Sequence, residues 1–147
     1  MANRRFIRGD ISTLTPGIAK LYGYVEIGTS GVISTTVPAK CEGFTIIKTA
    51  AKTGRYTITL DDKYLRLLSV GVTLNASNDA AYITDAGLAT FVRAGDAITN
   101  GVSRSFFLQF ARALTVTTTV TYADAEPETG AEFMLEITLK NRMAGRL

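Results

Sequence analysis

The side chains that most often carry reactions are thinly supplied in this chain. Histidine is absent from all 147 residues. That removes the commonest general base, the commonest metal ligand and the usual partner of a serine or cysteine nucleophile. The one cysteine, Cys41, has no second thiol or imidazole to complete a zinc site. It reads as a small core or near-surface thiol, and it cannot form an internal disulfide. Such usage suits a reducing compartment or an assembly made inside a cell. Gly28-Thr29-Ser30-Gly31 has neither the spacing nor the following lysine of a phosphate-cradling loop, so it reads as a turn. Among the acids, Asp61-Asp62 reads as a helix cap and its solvated neighbour. Asp124, Glu126 and Glu128 share a loop that lacks the oxygen spacing and central glycine of a calcium site. Glu26 and Glu136 fall inside strand-like runs, where they face solvent or pair with a base on the next strand. The expectation is a protein that is not an enzyme, with no metal, no cofactor and no small-molecule substrate.

Charge is more informative in its placement than in its sum of +3. Residues 1–20 hold Arg4, Arg5, Arg8 and Lys20 against Asp10, and residues 139–147 hold Lys140, Arg142 and Arg146 with no acid. The body between is mildly acidic. Two cationic ends on an acidic domain read as arms. The arginines are too few, and the body too acidic, for a nucleic-acid partner to be expected. Phe6, Ile7, Ile11 and Leu14 add apolar anchors that a merely solvated tail does not need. The N-terminal segment, with Arg4, Arg5, Phe6, Ile7, Arg8, Ile11 and Leu14, is therefore expected to lie on an acidic surface of another protein, and Lys140, Arg142 and Arg146 to assist from the C-terminal tail.

The N-terminus lacks the apolar run of a signal peptide, and no stretch reaches the ~18–20 apolar residues of a membrane span. The expectation is a soluble protein with no membrane partner. At this length one domain suffices, burying roughly 68–70% of its unfolded surface.

Those ends must be held by a domain, and its pattern is short and β-branched. Residues 1–20 show no sustained period and contain the Pro16-Gly17 turn signal, which predicts an extended arm. Strands are predicted at 21–27, 32–37, 44–49, 56–60, 70–74, 88–92, 105–110, 114–122 and 133–139. The third and fourth read as a hairpin. One short helix is predicted after Asp61, where Tyr64, Leu65 and Leu68 fall on one side. With no helix long enough for a parallel crossover, the fold class is all-β: an antiparallel β-sandwich of jelly-roll type. The expected division is an arm over 1–20, a sandwich domain over 21–140 and a basic tail over 141–147.

The run from Thr49 to Leu68, with its small-residue and glycine turn before Tyr56-Thr57-Ile58-Thr59-Leu60-Asp61-Asp62, resembles small structural proteins of tailed bacteriophages. So does the closing strand Leu135-Glu136-Ile137-Thr138-Leu139-Lys140-Asn141. The resemblance covers roughly residues 31–141 and is nearest to capsid cement or decoration proteins. It implies a jelly-roll-like domain that associates with itself as a homo-dimer or homo-trimer and sits outside an icosahedral head. There it would bridge major capsid protein subunits on the virion exterior, having been made in the host cytoplasm. It carries no catalytic residues. A tail, neck or fibre-associated role fits the same residues, and a carbohydrate-binding jelly roll is a rival of another class. The latter is disfavoured by the absence of tryptophan.

Overall fold

In the computed structural model, the described residues are 17–75, 88–92, 104–116 and 119–140. They form nine strands: β1 (Ile18–Glu26), β2 (Lys40–Cys41), β3 (Phe44–Lys48), β4 (Arg55–Leu60), β5 (Arg66–Asn75), β6 (Leu88–Val92), β7 (Ser105–Val116), β8 (Thr119–Asp124) and β9 (Glu132–Lys140). The chain is mostly β, in two antiparallel sheets. Sheet one has the order β2-β1-β9-β5, and sheet two the order β3-β4-β7-β6 with β8 also paired to β7. The only helical element among the described residues is one 3-10 turn at Thr29–Gly31, and no described helix is long and apolar enough to cross a membrane.

Alternation builds both sheets. Along β9, Phe133, Leu135, Ile137 and Leu139 are buried while the residues between them point outward. Tyr56, Ile58 and Leu60 of β4 and Phe106, Leu108 and Phe110 of β7 do the same from sheet two. These side chains join one buried cluster. Phe133 of sheet one lies 5.7 Å from Tyr56 and 5.2 Å from Phe110, ring centre to ring centre. Edge-on and tilted contacts of this kind add to simple burial.

β8 takes over from β4 along one side of β7. The amide of Phe110 donates to the Gly54 carbonyl at 2.7 Å, and its carbonyl accepts from Ala125 at 3.2 Å. A Cβ at Gly54 would lie 2.1 Å from the Ala125 oxygen, and its φ is +62°. Only glycine fits where the two strands meet end to end.

Three sequence expectations are overturned. No helix follows Asp61. Leu65 donates to the Lys140 carbonyl at 2.9 Å, and from Arg66 onward the chain pairs with β9. A two-turn helix has an unfavourable nucleus and few bonds to offset it, whereas the strand satisfies its backbone against β9. The leucine spacing that mimics a helix is a β-bulge. The register shifts between Leu67 and Ser69, so Leu68 turns outward while Leu67 and Val70 stay half-buried.

The strand expected over 32–37 is reduced to one bridge, Ile33 opposite Ile27. The Ser34 hydroxyl accepts from the Val37 amide at 3.2 Å, a local bond that competes with a ladder. The sheet partner is instead the short β2, which sequence reading does not single out. Finally, 114–122 is not one strand: it is divided between β7 and β8, with Val116 opposite Thr119. Both strands carry the same threonine-rich alternation, so periodicity does not show the reversal.

Candidate functional site

Several of the described carboxylates and phenols are engaged with the fold. Lys48 links the loops at one end: its Nζ lies 2.6 Å from Glu126 Oε1 and donates to the Ser30 carbonyl. Beside it, the buried Tyr56 hydroxyl donates to the Gly31 carbonyl at 2.7 Å. Burial pushes the Tyr56 phenol well above its ordinary value, and the Glu126 charge adds to the effect. A phenol held neutral in this way anchors the 3-10 turn and supplies no nucleophile. Gly31 is required here. Its φ is +71°, and a Cβ would lie 1.6 Å from Glu126 Oε2.

Glu126 therefore belongs to an ion pair. Among the described residues no three His, Cys, Asp or Glu side chains are grouped to hold a metal. Cys41, half-buried on β2, has its thiol pushed up to about 11 by burial, against a smaller lowering by a backbone hydrogen bond from Tyr24. It stays protonated and packs like a small apolar residue. Asp61 has no helix to cap; its carbonyl accepts from Arg104 at 3.0 Å and its amide donates to Gly43 at 2.9 Å.

The open feature is the outward face of sheet one, and register fixes its layout. Residues directly opposite across an antiparallel pair share a face. One end row is Glu26, Glu132 and Asn75; the next is Tyr24, Met134 and Thr73; the centre is Tyr22, Glu136 and Gly71. Beyond it come Lys20, Thr138 and Ser69, and then Ile18, Lys140 and Arg66. Tyr22 is 48% exposed, Met134 50% and Leu68 46%, so three large apolar side chains stand among the charges. Lys20 and Glu136 pair diagonally at 2.6 Å, as expected of a strand glutamate. The Tyr24 phenol is pushed up to about 12, chiefly by its hydrogen bond to Glu132, with desolvation and the nearby carboxylate charges adding to it. The face is acidic at one end, apolar in its middle and cationic at the other end. Lys40 and Glu42 flank it on the β2 side with opposite charges.

Of the residues singled out from sequence, Lys140 ends β9, exposed and next to Arg66. Lys20 and Ile18, expected in the arm, are part of β1. Arg4, Arg5, Phe6, Ile7, Arg8, Ile11 and Leu14, together with Arg142 and Arg146, lie outside the described residues. Ile18 stands directly opposite Lys140, so β1 begins and β9 ends at one pole of the sheet. Arg66 joins that pole and was missed by sequence reading, because the false helix hid its strand. Met134 was legible as the one apolar residue at an outward position of β9. No protein-family model, curated protein or solved structure matches the chain.

Proposed function

We propose that this chain is a structural virion protein, a capsid cement or decoration protein. It would sit on the outside of a tailed-phage head and bridge neighbouring major capsid protein subunits. The observation that carries this reading is the pole where Ile18 lies opposite Lys140. Arg4, Arg5 and Arg8 precede it in the chain, Arg142 and Arg146 follow it, and Arg66 stands beside it. Positive charge in both flanking sequences, together with the apolar residues Phe6, Ile7, Ile11 and Leu14, suits an acidic protein surface, because complementary charge steers docking while apolar contacts hold it.

The fold proposed with it is a jelly-roll sandwich. Two features support this: the chain passes between the sheets at β2–β3, β4–β5, β5–β6 and β8–β9, and its first strand, β1, lies beside its last, β9, a long-range return of the kind Greek-key sandwiches use. The run that resembles phage structural proteins lies on β4 and the link to β5.

The test is removal of residues 1–16, stopping short of Ile18 because its pairing with β9 belongs to the domain. The shortened chain should fold, by circular dichroism, and lose binding to capsid shells. Unchanged shell binding would refute the arm's role. Cryo-electron microscopy of the particle assigns the location: density at the portal, neck or tail instead of the shell supports the tail, neck or fibre-associated role.

A further inference from the structure

We infer that the outward face of sheet one pairs two copies of this chain, face to face, about a two-fold axis running across the strands at the row of Tyr22, Glu136 and Gly71. The inference deepens the cement-protein reading above, taking up the self-association that the resemblance implies, and rests on it. A two-fold pairing presents the same patch from both copies, so the patch must complement itself. Only some orientations allow that here. An axis parallel to the strands keeps each row over itself and would lay Glu132 over Glu132 and Lys140 over Lys140 of the second copy, with Glu26 over Asn75 and Arg66 over Ile18. An axis across the strands reverses the rows. Glu132 then faces Lys140 of the second copy, Asn75 faces Arg66, and Tyr24 faces Lys20. The row assignments follow directly from the strand register. Like charges directly opposed cost several kcal/mol, whereas opposed signs set the register. Charge thus selects one of the two arrangements.

The middle of the face suits such contact. Tyr22 and Met134 are half-exposed, and Gly71 leaves open space beside Glu136, whose Cβ is 3.9 Å from a Cβ built there. Each Glu136 on the axis keeps its own Lys20 at 2.6 Å, which offsets the approach of two carboxylates. The three long strands span roughly 14 Å by 30 Å, from strand spacing and rise. That is on the order of 400 Å² per copy, about half the usual share for a specific interface, so the pairing is a weak one. Reversal of the rows also sends the two cationic poles to opposite ends of the pair. Ile18 and Lys140 of the two copies then lie at opposite ends of the pair, a spacing that suits bridging.

The experiment is sedimentation equilibrium of the full chain at low salt and micromolar concentration, for the wild type, Glu132→Lys, Lys140→Glu and the double exchange. The wild type should dimerise. Each single reversal should weaken the dimer at least ~10-fold, and the double exchange should restore it to within about threefold, because both opposed pairs regain unlike charges. Circular dichroism checks that each variant is folded. Should a reversal disturb the domain, Met134→Asp tests the same face from its centre and should also give monomers. A dimer indifferent to all of these variants, or a double exchange no better than the singles, overturns this face or this orientation while leaving self-association standing. A wild type that stays monomeric overturns both.

Discussion

On the outward side of β3, β4 and β7, polar groups satisfy one another. The hydroxyls of Thr49 and Thr57 are 2.9 Å apart, and Arg55 Nε donates to Gln109 Oε1 at 2.9 Å while its guanidinium lies over Phe107. Gln109 in turn donates to the carbonyls of Thr53 and Phe110 and is itself buried. On the outward side of β1, β9 and β5, the charges are instead sorted to opposite ends around exposed Tyr22 and Met134. Both faces arise from the same two-residue period. The difference is one of arrangement: on the closed face the polar groups interlock around an exposed Ile47, whereas on the open face Lys20 holds Glu136 and Tyr24 bonds to Glu132 while the signs of charge are sorted from end to end. Polar content alone does not separate the two faces; the arrangement of its charges does.

That contrast can be broken from the inside outward. The largest effect is expected for Phe133→Ala, which removes the ring bridging both sheets. It should destabilise the domain by about 3–5 kcal/mol in urea denaturation and damage both faces together. Gly54→Ala should follow at about 2–4 kcal/mol in the same assay, since the residue has left-handed backbone and no room beside Ala125. On the closed face, Gln109→Ala should cost about 1–3 kcal/mol, because Arg55 Nε and the Thr53 carbonyl lose their side-chain partner. On the open face, Met134→Ser should change stability by no more than about 0.5 kcal/mol, while altering association. Equal stability losses from Gln109→Ala and Met134→Ser would erase the contrast between the faces.

The smallest effect is a titration. The folded Tyr24 phenol is raised from 10.0 to about 12, so the folded state favours the neutral form more than the unfolded state does. This contribution to stability is complete below pH 10 and fades between pH 10 and about 12 as the folded phenol ionises. The difference in phenolate absorbance between the wild type and Tyr24→Phe should show a midpoint near 12. Glu132→Gln should lower that midpoint toward 10. A midpoint already near 10 in the wild type would detach Tyr24 from Glu132.

Much of the strand content was legible because alternation is local. Tyr56-Thr57-Ile58-Thr59-Leu60 and Phe133-Met134-Leu135-Glu136-Ile137 place their own apolar residues on one side whatever their partners. The β3–β4 hairpin was legible from the glycine turn between two such runs. The segment after Asp61 was misread because a bulge at Leu68 and a helical turn produce the same local spacing. The open face was only partly legible: Lys140 was identified for its charge, but Arg66, on a strand far away in sequence, was not.

The amino-acid sequence by itself determined the all-β character, the outward positions along β9 and the cationic segments at both ends. These depend on side-chain type and on a two-residue period that each strand carries internally. The tertiary structure alone decided which strands are neighbours. Placing β1 and β5 on either side of β9 sets Ile18 and Arg66 against Lys140 and lines up Glu26, Glu132 and Asn75 at the other end. Register between distant strands depends on the whole core closing at once, and no local pattern encodes it.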